Sequence, residues 1–143
     1  KMSKQILLLN INWKAGTLMA QYLHLNIYKK SFDFLVKLTQ LTSNFQRDFR
    51  FTIGEKLNST TIGFIILIYK ANSAKDLERV EFIVKLLDEL QKITVLTRLA
   101  TELKNIPREK YMELALMLEV IEKQLNGWKN HSIKETEKEK TMV

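Results

Sequence analysis

The residue types that most often do chemistry are sparse in this chain, which has two histidines, His24 and His131, and no cysteine. Without cysteine, neither a disulfide framework nor a thiolate metal site can form. A di-iron helical bundle needs Glu-x-x-His motifs on two helices, but the residues three before the histidines are Gln21 and Trp128. Some helical nucleases place an arginine a few residues before a histidine, and none precedes His131 closely. We therefore expect no metal, no cofactor and no nuclease site.

Nucleotide-binding and acid–base motifs are missing as well. The chain has no Gly-x-x-x-x-Gly-Lys loop and no Gly-x-Gly-x-x-Gly fingerprint. Glu113, Glu119 and Glu122 fall in one helical segment and are interpreted as a solvated face. The sequence thus predicts a protein that is not an enzyme. An unrecognised enzyme that uses His24 is the least favoured of three hypotheses.

The whole chain has a formal net charge of +7, and the positive charge is concentrated near its start. Residues 1–47 contain seven Lys or Arg and one Asp, whereas acidic and basic residues balance from residue 75 onward. A concentrated basic patch attracts phosphate backbones and acidic partners. Ordinary solubility charge is the alternative explanation.

An aromatic cluster interleaved with arginines follows the first basic stretch: Phe45, Arg47, Phe49, Arg50 and Phe51. Such a cluster can stack on nucleic-acid bases. More often the aromatic rings hold a loop against the core, and we favour that interpretation.

Apolar residues recur at helical spacing in four segments, and only four glycines and one proline interrupt the chain. We therefore expect four helices, which position the residues described above. The segments are 18–42, 52–71, 74–104 and one that starts at Pro107. The last has the clearest seam: Tyr111, Leu114, Leu118, Ile121, Leu125 and Trp128. The prediction is an all-α, up-down antiparallel four-helix bundle over residues 18–130. Residues 1–17 form an extension of uncertain structure, and the polar residues 131–143 form a disordered tail.

Two of the helices carry apolar residues on more than one side. In the second, Ile53, Leu57 and Thr61 begin an inner stripe, while Ile62, Ile65, Ile66 and Tyr69 form another side. The third holds Val80, Ile83, Leu87 and Leu90 on one face, then Ile93, Leu96, Ala100 and Leu103 on a rotated face. A two-sided helix needs two partners, so we expect a homo-oligomer. No apolar run approaches the roughly 20 residues of a membrane span, which predicts a soluble cytoplasmic protein.

The order of several short motifs resembles a known family. These motifs are RFTIGEKL at 50–57, YKAN at 69–72, DLE at 76–78, LTRLA at 96–100, LK at 103–104 with Ile106 and Tyr111, and LNGW at 125–128. Over residues 22–130 the chain resembles the accessory variability determinant (Avd) of diversity-generating retroelements. A related four-helix family is encoded in intervening sequences of bacterial large-subunit rRNA. That family has an Ala-x-x-Ser-x-x-x-Asn-Ile-Ala-Glu-Gly pattern on its second helix, which is absent here.

The resemblance implies a ring-like homopentamer that binds the element's reverse transcriptase and template RNA, or an RNA/DNA hybrid, and supports mutagenic cDNA synthesis. Polymerase chemistry would belong to the partner. The expected RNA-facing residues are Lys29, Lys30, Lys37, Arg47, Arg50 and Lys56, with Arg79 and Arg98 as weaker candidates. The second hypothesis is a protein of the rRNA-insert type or a generic oligomeric nucleic-acid-binding scaffold.

Overall fold

The protein forms four long helices, seen in a computed structural model that describes the backbone of residues 15–141 and the side chains of residues 24–141. α1 spans Ala15–Thr42, α2 spans Glu55–Ser73, α3 spans Asp76–Glu102 and α4 spans Arg108–Thr141. The described residues contain no strand. The all-α prediction is therefore confirmed, whereas the predicted extension lies outside the described residues except at 15–17, which already belong to α1.

Each helix runs antiparallel to its two neighbours. The Nδ2 of Asn58 in α2 donates to the Thr42 hydroxyl at 2.9 Å near the end of α1, whereas Tyr69 contacts Tyr28 much earlier in α1. α4 lies on the other side of α1, and α3 packs against both α2 and α4. The order around the bundle is thus α1–α2–α3–α4, as an up-down connection requires.

A continuous apolar core lies between the four helices. Its largest fully buried side chains are Trp128, Phe34, Phe45, Phe64, Ile27, Leu38, Leu57, Ile68, Ile83, Leu86, Ile93 and Ile106. The seam predicted for α4 is buried at Leu114, Leu118, Ile121, Leu125 and Trp128. The inner stripe of α2 is buried at Leu57, Thr61, Phe64 and Ile68.

The predicted split of α3 into two apolar faces is wrong. One buried stripe runs through Ile83, Leu86, Leu90, Ile93, Thr97 and Ala100. Thr97 fits this stripe because its hydroxyl donates to the Ile93 carbonyl at 2.7 Å, which satisfies its polar group inside the core. Leu103, by contrast, is 36% exposed.

The predicted disordered tail is also wrong as far as residue 141, since α4 continues through His131 to Thr141. Ser132 and Thr136 are buried and extend the stripe that passes through Trp128. The Thr136 hydroxyl donates to the Ser132 carbonyl at 2.8 Å. Lysine and glutamate, which have high helix propensity, fill most exposed positions of this segment. Its polarity reflects a solvated helix face rather than disorder.

The loops at one end of the bundle are tied together. Just after α3, Lys104 adopts the left-handed region with φ 64°, and the backbone amide of Asn105 donates back to the Ala100 carbonyl at 2.9 Å. The side-chain oxygen of Asn105 accepts a hydrogen bond of 2.8 Å from the backbone amide of Gln46 in the α1–α2 connection. In the part of the chain that the structure describes, no helix has a stretch long and apolar enough for a transmembrane segment.

Candidate interaction surfaces

The basic residues predicted on α1 point to solvent, but they are not equivalent. Lys29 is exposed and Lys30 is half-buried, and neither forms a salt bridge with a described carboxylate. The Lys37 ammonium lies 3.0 Å from the carboxylate of Glu113 on α4, which is also 3.8 Å from Lys110. The hydrogen bond from Lys37 and both lysine charges lower the pKa of Glu113. The charge of Lys37 is thus partly compensated.

Arg47 and Arg50 lie where the chain enters α2. A short helical segment, Arg47–Phe49, runs into a π-helical turn, Arg50–Gly54. Phe45 is 1% exposed and Phe49 packs against the core, so these two rings hold the segment in place. Phe51, however, is 68% exposed. The core-anchoring interpretation holds for two of the three rings and leaves the third beside exposed arginines.

Arg79 has a structural role that the sequence did not suggest. Its Nε donates to the carbonyls of Ala71 and Ala74 at 3.2 and 3.0 Å, and its Nη2 donates to the Asn72 carbonyl at 2.9 Å. These carbonyls lie at the end of α2, where the helix leaves backbone acceptors without partners. Arg79 therefore caps the end of α2, and we no longer expect it to contact RNA.

The remaining candidates do not form one patch. About 20 Å of helix separates Lys29 from the end of α1, beyond which Arg47 and Arg50 lie. Arg98 on α3 is exposed and sits 3.9 Å from Glu102. Lys56 borders a cleft between α2 and α3. The structure brings together only Arg47 and Arg50.

An exposed apolar surface extends across α1 and α2. The α1/α2 apolar face consists of Tyr28, Phe32, Val36, Ile62, Ile66 and Tyr69. Phe32, Val36, Ile62, Ile66 and Tyr69 are each 44–52% exposed. The ring of Tyr28 lies 6.2 Å from that of Phe32 and 5.1 Å from that of Tyr69, so the two helices share one surface. Contiguous exposed apolar surface of this kind is typical of interaction sites.

Comparison with known proteins gives one result that covers most of this architecture. The family model described as bAvd-like matches residues 25–132, a range that begins inside α1 and ends inside α4. The chain belongs to the bAvd-like family. The predicted resemblance to Avd is thereby confirmed. A search of curated proteins finds no match.

The matched range of this bAvd-like chain also contains an exposed stripe that sequence reasoning missed. Met112, Leu116 and Val120 recur every four residues on α4 and are 56%, 61% and 39% exposed. Their spacing in the sequence was the available signal, but the stronger seam through Leu114 and Leu118 masked it. The stripe lies on a different side of the bundle from the α1/α2 apolar face.

His24, the residue on which the enzyme hypothesis depended, is a core residue. Its side chain is 4% exposed, and its ring lies 6.2 Å from that of Tyr69 and 5.9 Å from that of Trp128. Burial, and secondarily the positive charge of Arg79, lowers the pKa of His24 to about 4. Neither ring nitrogen has a hydrogen-bond partner within the described residues. Among these residues, no group of three or more His, Cys, Asp or Glu side chains could hold a metal ion.

Proposed function

We propose that this chain is the accessory protein of a diversity-generating retroelement, which binds the element's reverse transcriptase and template RNA and supports mutagenic cDNA synthesis. The supporting observation is the bAvd-like match, which covers the greater part of the four-helix bundle. The proposed role is non-catalytic, with the nucleotide chemistry left to the polymerase. A cytoplasmic location follows from this proposed partnership.

Self-association is the second part of the proposal. The α1/α2 apolar face and the stripe of Met112, Leu116 and Val120 are separate and non-identical surfaces. When one surface of a protomer packs on a different surface of the next, the contact is heterologous and closes into a ring if the rotation permits. We therefore propose a homo-oligomeric ring, with the pentamer implied by the Avd resemblance as the expected form.

RNA binding is the third part, and the free basic side chains support it. Lys29, Lys30, Arg47 and Arg50 form no salt bridge with the described carboxylates. The distance between the two lysines on α1 and the two arginines beyond its end suits contact with an extended RNA better than a compact anion site. Lys37 and Arg98 contribute less because each has a carboxylate partner.

Co-expression tests the polymerase partnership. The chain is produced with the reverse transcriptase and template RNA of its own element, and the complex is purified through a tag on the polymerase. We expect the chain and the RNA to co-purify, and cDNA yield to fall when the chain is omitted. Recovery of the polymerase and RNA without the chain, together with unchanged cDNA yield, would contradict the proposal.

Light scattering tests the assembly with one matched pair of variants. Ile66→Asp places a charge in the α1/α2 apolar face, whereas Val95→Asp does so at an exposed position on α3, outside that face. We expect the first variant to lower the molar mass and the second to preserve it, with equal helicity in both. A wild-type protein that is monomeric at all concentrations rules out the ring.

A further inference from the structure

A cleft between α2 and α3 combines cations, hydroxyls and aromatic edges. Its two adjoining hollows measure about 330 and 550 Å³ and share Lys70. Lys56 lines one hollow and Lys75 lines the other. We name this feature the α2/α3 cleft. It borders the α1/α2 apolar face, with which it shares Ile66 and Tyr69. Only Lys56 of its lysines belongs to the basic set expected from the sequence.

The lysines of the α2/α3 cleft are available to an external anion. Lys56, Lys70 and Lys75 are exposed, and none forms a salt bridge with a carboxylate of residues 24–141. Two glutamates, Glu78 and Glu89, also line the cleft. The carboxylate of Glu89 lies 3.0 Å from the ammonium of Lys92, which compensates its charge. Glu78 has no salt-bridge partner among the described residues, so the three lysines of the cleft face one uncompensated carboxylate and the cleft is net positive.

The remaining lining matches the other parts of a nucleotide. Ser59, Thr60 and Ser73 place hydroxyls along the cleft, and hydroxyls commonly donate to phosphate oxygens. Tyr69 and Phe82 line its wider hollow, and aromatic rings provide surfaces on which bases stack. The Lys85 ammonium lies 5.2 Å from the centre of the Phe82 ring and adds a cation there.

The length and width of the cleft favour a single strand. Fourteen residues of α2 separate Lys56 from Lys70, which places their backbones about 21 Å apart along the helix axis. Packed helices lie only about 8–10 Å apart, so the cleft is too narrow for the rigid cylinder of a duplex. A flexible strand can follow the cleft and present phosphates that are several nucleotides apart to Lys56 and Lys70.

We propose that the α2/α3 cleft binds the phosphodiester backbone of single-stranded nucleic acid. The inference deepens the proposed function, on which it rests for the presence of RNA, by assigning the strand to a surface other than the α1 and Arg47–Arg50 residues. Lys56, Lys70 and Lys75 hold phosphates along the strand, those at Lys56 and Lys70 being several nucleotides apart, and the rings of the wider hollow contact a base.

Fluorescence anisotropy of the full chain with labelled oligonucleotides of about 12 nucleotides tests the inference. The cleft variant is K56Q/K70Q/K75Q. The matched control is K123Q/K134Q/K138Q, which removes the same charge from exposed positions on α4. A third variant, K29Q/K30Q/R47Q, removes three positive charges from the residues expected to face RNA. Each protein is titrated with single-stranded RNA, single-stranded DNA and a duplex between about 50 and 200 mM salt.

We expect the cleft variant to bind single strands about 100-fold more weakly at 0.1 M salt, because each lost phosphate contact changes the logarithmic salt slope by about 0.7. For this variant, the slope of the logarithm of the binding constant against the logarithm of the salt concentration should be shallower by about 2. The α4 control should lose much less, and the duplex should bind the wild type more weakly than either single strand. Similar losses of affinity for RNA and DNA in the cleft variant would indicate recognition of the phosphodiester backbone. A loss of affinity for RNA alone would contradict backbone recognition.

Four outcomes overturn the cleft assignment. Equal losses in the cleft and α4 variants would show that only net charge matters. A loss confined to the K29Q/K30Q/R47Q variant would leave RNA binding intact as a function and place it elsewhere. A cleft variant with reduced molar mass in light scattering would show that the cleft is a subunit contact. If the wild type binds none of the oligonucleotides, the RNA-binding part of the proposed function fails together with the cleft.

Discussion

Acidification should destabilise this protein through His24 before most carboxylates titrate. The imidazole is buried between Tyr69 and Trp128, and its ring nitrogens have no hydrogen-bond partner among the described residues. A positive charge there would lose its hydration without gaining a compensating contact. The folded protein therefore holds the imidazole neutral, and the pKa of His24 falls to about 4 from 6.5.

The size and sign of the effect follow from proton linkage. Because the folded pKa is lower, the unfolded chain binds a proton first as the pH falls through 6.5. The stability associated with neutral His24 is complete above that pH and decreases between pH 6.5 and about 4. One pKa unit corresponds to about 1.4 kcal/mol, so the full loss is about 3 kcal/mol.

Urea unfolding followed by far-ultraviolet circular dichroism measures this loss in the wild type and in His24→Leu. Leucine is apolar and similar in size, so it removes the titrating group and two unpartnered nitrogens. At about pH 7.5 the variant should match or exceed the wild type in stability. At about pH 4.5 its advantage should have grown by about 2 to 3 kcal/mol. A difference that stays constant between these pH values refutes the reasoning. Equal protein concentrations are needed because an oligomer's apparent stability depends on concentration.

Three further predictions concern the helices. Arg79→Met should lower the free energy of unfolding by about 2 to 3 kcal/mol, because three carbonyls at the end of α2 lose their charged donor. Arg98→Met, which removes only an exposed pair, should change it by less than about 0.5 kcal/mol, and equal losses in the same urea titration would contradict the capping role. Gly127→Ala should raise the midpoint of thermal unfolding and stabilise α4 by about 1 kcal/mol, since a Cβ there meets open space. Gly54→Ala should cost about 1 to 2 kcal/mol, because its Cβ would lie 3.2 Å from the buried Phe45 ring, and a stabilised Gly54→Ala would show that the ring can move away.

The sequence alone determined the fold class, because strong helical periodicity and few turn-forming residues leave little alternative. Local spacing was enough to identify the seam through Leu114, Leu118 and Leu125, all of which are buried. The order of short motifs was enough to place the chain in its family. Both kinds of signal are read along the chain and need no knowledge of which helices are neighbours.

Only the tertiary structure decided what individual polar residues do. From the sequence, His24 was considered as the residue that an unrecognised enzyme would use, and Arg79 was grouped with RNA-facing cations. In the bundle, Tyr69 and Trp128, both distant in sequence, pack against His24. The turn from α2 into α3 places helix-terminal carbonyls around Arg79. Likewise, the polar residues Thr97 and Ser132 belong to buried stripes, although Ser132 was predicted to lie in a disordered tail. The environment of a polar side chain depends on the helices packed around it, and the sequence does not specify that packing residue by residue.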